Sequence, residues 1–380
     1  MRNNCLRHNW TIGVLPTALV LFAWTAQAQP GATRPPQPSD AGYQIVERGE
    51  NHALFRKISL DPATGATRAY QFTLLENGMH YLENGEWRAS EDLVESFPGG
   101  AVARRGPNKA IFSDELNAET VFDVEASDGT RLRGGVRAVQ MTDLSTGESL
   151  VVGTVKKSVT GSLLPPNRIL YSDAFDGISA DVSVVWKHNL FSHDVILRER
   201  PELPAGWNPA TVRLEVMTEF FVEAEPELRP HPGRANGQPV LEDDVVIGFG
   251  SLAMVMGKAF PMPDDNALSL AGGDLRSDGT PVMKEWHRAK DGRRFLIESL
   301  NWADAAPQLK DLPPRRQAKN GTSRRCEASM GRTWPERPAA LGEPKPIQVA
   351  SATAARKGYL IDFVIIPSQG TPTTLLSGET

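Results

Sequence analysis

The sequence predicts an all-β protein: one or two antiparallel β-sandwich domains with many hairpins and little helix. Three observations predict it. Short segments rich in β-branched and aromatic residues recur along the chain and are punctuated by Asn-Gly, Asp-Gly and Asp-Pro turn signals. Helical periodicity is scarce. Strands do not alternate with helices, which argues against a doubly wound or TIM-type fold.

The elements follow in order. Residues 53–60 form a strand that ends at the Asp61-Pro62 turn, and Arg68–Leu75 is its partner. Met79–Glu83 and Glu86–Arg88 flank Asn84-Gly85, a pair that accepts the positive φ angles of a type I′ turn. Thr120–Val124 and Arg131–Met141 flank Asp128-Gly129, and Asp143–Glu148 turns the chain into Ser149–Val159. Arg168–Tyr171, Ile178–Trp186, Phe191–Leu197 and Thr211–Phe221 each fit a strand. In the last of these, Val212, Leu214 and Val216 alternate with polar residues, the pattern of a strand with one wet face. The apolar run Asp244–Phe260 is interrupted by Gly248, Gly250 and Gly257, and reads as two buried strands. Pro281–Trp286 and Arg294–Ile297 make a hairpin around Asp291-Gly292. Asn301–Leu312 fits a short helix with Pro307 in its middle, and Gly358–Ile366 is a final strand that needs a partner.

The first 28 residues have the layout of a secretory signal peptide: Arg2 and Arg7, an apolar core over residues 14–24, and Ala26-Gln27-Ala28 as the cleavage site. The apolar core is too short for a comfortable membrane span. Removing 28 residues from 380 leaves 352, and the formal charge moves from −5 to −7 because Arg2 and Arg7 go with the signal. A mildly acidic exported chain is not built to hold nucleic acid. No transmembrane span is expected after signal removal. The expected location is secreted or in the cell envelope, in the periplasm or on the outer surface.

The organisation read from composition is a signal peptide (1–28), a Pro-rich linker (29–41), a β-sandwich domain (42–165) and a second β-sandwich (166–306) that is either separate or continuous with the first. A basic Pro-rich linker with a short helix at its start (307–350) and a C-terminal strand with a polar tail (351–380) follow. Between Pro313 and Arg337 lie seven basic and two acidic residues, a solvated loop or a contact for acidic polymer or lipid headgroups. Of the two cysteines, Cys5 belongs to the signal, so Cys326 alone remains and no intramolecular disulfide forms. Asn320-Gly321-Thr322 matches a glycosylation sequon.

The sequence contains no His-Glu-x-x-His, Gly-x-Ser-x-Gly, phosphate loop or Cys-x-x-Cys, and no cofactor is expected. Asp173, Asp176 and Asp181 could supply oxygen ligands to Ca²⁺, although their spacing is not that of an EF-hand and Asp-Gly before a strand also reads as a turn. His193-Asp194 are adjacent in a strand and so point to opposite faces. Trp87, Trp186 and Trp207, with Trp286, could form a sugar-stacking platform or could be core and rim residues.

At Tyr171–Ile178, Asp181-Val182 and His193–Leu197 the chain resembles the β-rich N-terminal region of large exported bacterial surface proteins of the Rhs/YD-repeat or β-helix type. The likeness continues at Phe249–Leu252, Gly257–Phe260, Arg294–Glu298 and Gly358–Asp362. It implies export and β architecture and transfers no catalytic residue. The chain stops at Thr380, roughly where such proteins go on, as a short paralogue or a truncated reading frame would. The function expected is a non-catalytic exported module with a structural, adhesive or presenting role. Polysaccharide binding is the alternative, and an unrecognised secreted hydrolase the second. The expected partners are cell-surface polysaccharide or other envelope proteins.

Overall fold

The computed structural model describes residues 42–230, 234–235, 238–239, 245–255, 257–264, 279–315, 329–338, 345–350 and 356–367. The signal peptide, the 29–41 linker, the sequon at Asn320 and Cys326 lie outside them. Among the described residues strand accounts for 56% and helix for 3%, in antiparallel, sandwich-like sheets.

The chain enters a three-stranded antiparallel sheet, β1 (Gln44–Gly49), β2 (His52–Leu60) and β3 (Thr67–Leu75). Phe55 and Phe72 stand opposite each other in register and stack at 5.0 Å. A separate hairpin follows, β4 (His80–Glu83) and β5 (Glu86–Ala89). Its turn has φ of 52° at Asn84 and 83° at Gly85, the conformation that pair of residues announces.

The first large sheet begins as a meander of β6 (Glu95–Phe97), β7 (Gly100–Ala103), β8 (Lys109–Phe112), β9 (Phe122–Glu125) and β10 (Arg131–Asp143), which then pairs with β11 (Glu148–Val155). The second sheet takes up β12 (Ser162–Leu164), β13 (Arg168–Tyr171), β15 (Ala180–Lys187) and β16 (Leu190–Leu197), while β14 (Phe175–Asp176) pairs with β11. Strand β17 (Val212–Phe220) returns to β10.

The chain continues through β18 (Glu227–Pro230), β19 (Arg234–Ala235), β20 (Gln238–Pro239), β21 (Val245–Phe249), β22 (Leu252–Val255) and β23 (Gly257–Met262). The Asp244–Phe260 run is thus part of three strands, not two; Gly250, at φ 55°, turns the first into the second. Strand β24 (Thr280–Arg288) joins the two large sheets: its first three residues pair with β23 and its last six with β25 (Arg294–Asn301), which pairs with β17. Helix α1 (Trp302–Leu309) is shorter than the expected 301–312 segment and buries Trp302, Ala305 and Leu309, one face of a helix. Short β26 (Ser329–Met330) edges β11, and β27 (Gln348–Val349) runs parallel to β12.

Strands β28 (Gly358–Ile361) and β29 (Val364–Pro367) complete the second sheet between β16 on one side and β23 and β22 on the other. Both keep one register against β16: Ile361 faces Val195 and Val364 faces Ser192. Residues 358–367 therefore act as one strand, with Asp362 opposite Asp194 and Phe363 opposite His193, whose N–H donates to the Phe363 carbonyl at 3.1 Å.

One core lies between the sheets. Phe122 is at its centre, in ring contact with Phe191 at 4.9 Å, His193 at 5.5 Å and Phe220 at 5.7 Å. The expectation of a wet face on the 211–221 strand is corrected. Glu215, Met217 and Glu219 on β17 are buried, because the 329–338 segment and the side chains of Arg137 and Arg293 contact that outer face.

Candidate functional site

The three aspartates considered for Ca²⁺ are used otherwise. The buried Asp181 carboxylate accepts from Arg198 Nε and from Arg356 Nη2, both at 2.7 Å. Its other oxygen accepts the Asp173 backbone N–H at 2.7 Å and so closes the turn. Asp173 itself pairs with Lys156 at 2.5 Å, and Asp176 is exposed on β14. Two guanidinium groups thus occupy lone pairs that a cation would need. Among the described residues no group of three or more His, Cys, Asp or Glu side chains is placed to hold a metal ion.

The tryptophans do not share one environment. Trp186 is buried, with its ring 6.3 Å from Phe112. Trp207 is half-buried and donates to Glu148 at 3.2 Å, and Trp286 packs on Phe220 and Phe249 while donating to Glu225 at 2.8 Å. Trp87 is 39% exposed on β5, opposite Leu82.

The densest unexpected chemistry is on the second face of the second sheet. Strands β15, β16 and β28 are buried on both faces. Their inner face carries Val184, His193 and Val195; the other carries Ser183, Ser192, Asp194 and Asp362. Ser192 Oγ donates to Asp194 Oδ1 at 2.5 Å and lies 3.1 Å from Asp362 Oδ1. One hydroxyl hydrogen cannot satisfy two carboxylates, and like charges directly opposite in a sheet repel. Burial pushes Asp194 up to about 6, and burial followed by the Asp194 charge pushes Asp362 well above the carboxylate range. His193 is held neutral: burial, with Arg137 nearby, pushes it down to about 3.

A second polar network covers the outer face of the first sheet. Glu215 accepts from Gln140 at 2.6 Å, Thr142 at 2.9 Å and Arg332 at 3.1 Å. Arg332 also forks onto Glu285 at 2.7 and 2.8 Å, and Trp334 stacks on His287 at 4.7 Å. Arg332, read from sequence as part of a basic linker, is therefore an internal partner of two glutamates. Beside it Arg137 and Glu219 form an enclosed ion pair at 3.0 Å.

His188, in the turn between β15 and β16, donates from both ring nitrogens. Nδ1 lies 2.7 Å from Asp92 and Nε2 3.1 Å from Glu76. A polar cleft lies alongside, lined by Glu50, Asn51, Gly78, Pro107 and Asn108 among others. Asn108 donates to the His188 carbonyl at 3.1 Å, and Asn51 accepts the Gly78 N–H at 2.7 Å, so these side chains hold the cleft walls together.

Sequence reading noted His193-Asp194 but missed Asp362. The available signal was an aspartate inside the apolar run Gly358–Ile366, since a charge in a buried strand needs a partner.

The fold and these networks define a class: an antiparallel, sandwich-like β protein whose interior carries buried polar networks. Compared with protein-family models, with curated proteins and with solved structures, the chain matches none. No helix among the described residues is long and apolar enough to cross a membrane.

Proposed function

We propose that this chain is an exported, non-catalytic β-rich module with a structural, adhesive or presenting role at the cell surface or in the periplasm. The observation that carries the reading is where the acids are. Asp181, Asp194, Glu215, Glu219 and Asp362 are all buried, and each is engaged by a neighbouring side chain. A general acid or nucleophile must reach a substrate, and these groups are walled in. The signal-peptide layout of residues 1–28 supports export, and the motifs shared with N-terminal regions of large surface proteins fit a presenting role.

The surface supports adhesion. Val46, Ile58, Leu60, Leu82 and Trp87 are exposed on the N-terminal sheet and hairpin. Ile58 and Leu60 share one face of β2, and Leu82 faces Trp87 across the hairpin. The exposed Trp87 ring also favours a second reading, polysaccharide binding, because a flat aromatic face suits a sugar ring. The test is a turnover screen on glycosides, esters and peptides alongside a glycan array. The proposal predicts no turnover. Reproducible turnover would overturn it, and array binding lost in Trp87→Ala would install the second reading.

A further inference from the structure

We propose that Asp194 and Asp362 form a proton-sharing pair that locks the 358–367 strand into the second sheet in acid and loosens it as the medium becomes more alkaline. The inference rests first on register. The two carboxyls stand directly opposite each other on neighbouring strands, both are buried, and the Ser192 hydroxyl reaches both. With one proton between them the pair is a hydrogen-bonded monoanion; without it, two charges face each other away from water.

Position gives the pair its leverage. Among the described residues the 358–367 strand alone pairs β16 on one edge and β22 and β23 on the other, so hydrating a second charge requires parting the ladder on at least one edge. The Asp362 N–H donates to the Lys258 carbonyl at 2.9 Å on the far edge, and Gly257 leaves no room there: a Cβ would lie 2.0 Å from the Asp362 carbonyl oxygen.

Charged neighbours come from every packed element. Arg168 on β13 favours the ionised form of Asp194, and Lys258 on β23 stands opposite Asp362. Glu298 on β25, with buried Lys284 opposite it on β24, opposes ionisation of Asp362. Ser183 of β15 lies opposite Asp194, and His193 points to the other face and stays neutral. Burial outweighs the groups that favour the Asp194 charge and raises that carboxyl to about 6, and burial with the paired charge raises Asp362 well above the ordinary carboxylate range. A carboxyl raised in the fold stabilises fully below its unfolded value near 4 and loses that contribution as pH climbs toward and past 6.

The test compares the wild type with Asp194→Asn, whose amide permanently supplies the hydrogen, by urea unfolding and peptide-resolved hydrogen exchange from pH 4 to 8. Relative to the variant, the wild type should lose on the order of 100-fold in its folded-to-unfolded ratio across that range. Exchange protection of residues 358–367, corrected for intrinsic rates, should fall with pH in the wild type and stay level in the variant. Superimposable pH profiles would overturn the proposal. If Asp194→Asn does not fold, Asp362→Asn carries the same comparison. If neither folds, carboxyl ¹³C titration of the wild type decides: one aspartate titrating at or above about 6 supports the pair, and every aspartate titrating below 5 refutes it.

Discussion

Nδ1 of His188 lies 2.7 Å from Oδ1 of Asp92, and the same aspartate oxygen accepts the His188 backbone N–H at 2.8 Å. With Glu76 on the other ring nitrogen, the histidine joins the end of the N-terminal sheet and the segment before β6 to the second sheet. Burial works against the imidazolium, but the hydrogen bonds it donates to Asp92 and Glu76 outweigh it and raise His188 to about 9. Asp92 is lowered; burial opposes this, and the His188 bonds overcome it. A raised histidine gives stability that is full below 6.5 and lost as pH rises through 9. A lowered aspartate gives stability that is present above about 4 and lost as pH falls. The clamp is therefore strongest between about pH 4 and 6.5. Both carboxylates are more than a third exposed, so His188→Gln should cost only about 1–2 kcal/mol at pH 6 and much less at pH 10. Urea unfolding at the two pH values measures this.

Arg137 and Glu219 are each 2% exposed. Arg137→Met leaves Glu219 charged in the interior and should cost about 3–5 kcal/mol. Combining it with Glu219→Leu should recover most of that loss, because no orphan charge remains. A double-mutant cycle in denaturant gives the coupling. Some deficit should persist, since Arg137 also donates to the carbonyls of Ala118 and Glu119.

The 329–338 segment is held by few residues. Arg332 bonds Glu215 and Glu285, Arg293 donates to the Pro335 carbonyl at 2.6 Å, and Trp334 packs on Phe295 at 4.9 Å. Burial disfavours the Arg332 charge, but Glu285 and Glu215 more than compensate and raise its pKa. Arg332→Ala should lower global stability by about 2 kcal/mol and speed hydrogen exchange in this segment most of all.

Two glycines should answer alanine differently. At Gly257 a Cβ would sit 2.0 Å from backbone oxygen of the 358–367 strand, so Gly257→Ala should cost about 3 kcal/mol or more by forcing two strands apart. At Gly85 nothing lies within 4 Å, and the cost is that of φ +83° alone, about 1 kcal/mol. Thermal unfolding of the two variants separates crowding from backbone strain.

Local chemistry was legible in the sequence where the turn residues dictate it. Asn84-Gly85, Asp128-Gly129 and Asp291-Gly292 all mark the turns they announce, and the all-β class follows from them. Long-range cover was not legible. Nothing in the alternation of Val212, Leu214 and Val216 says that Arg332, more than a hundred residues on, reaches Glu215 between them. Nor does spacing show that Asp362 stands opposite Asp194, or that Arg198 and Arg356 meet at Asp181. Each pairing depends on strand order, which hydrophobic periodicity does not encode.

The central claim is that the acids of this molecule hold a fold together and process no substrate. The most direct measurement assays Asp181→Asn, Asp194→Asn, Glu215→Gln and Asp362→Asn beside the wild type, pairing the turnover screen with unfolding curves. The account predicts no turnover from any of the five proteins and an altered stability in each variant. A wild-type activity abolished by one of these changes, with its unfolding curve unmoved, would contradict it.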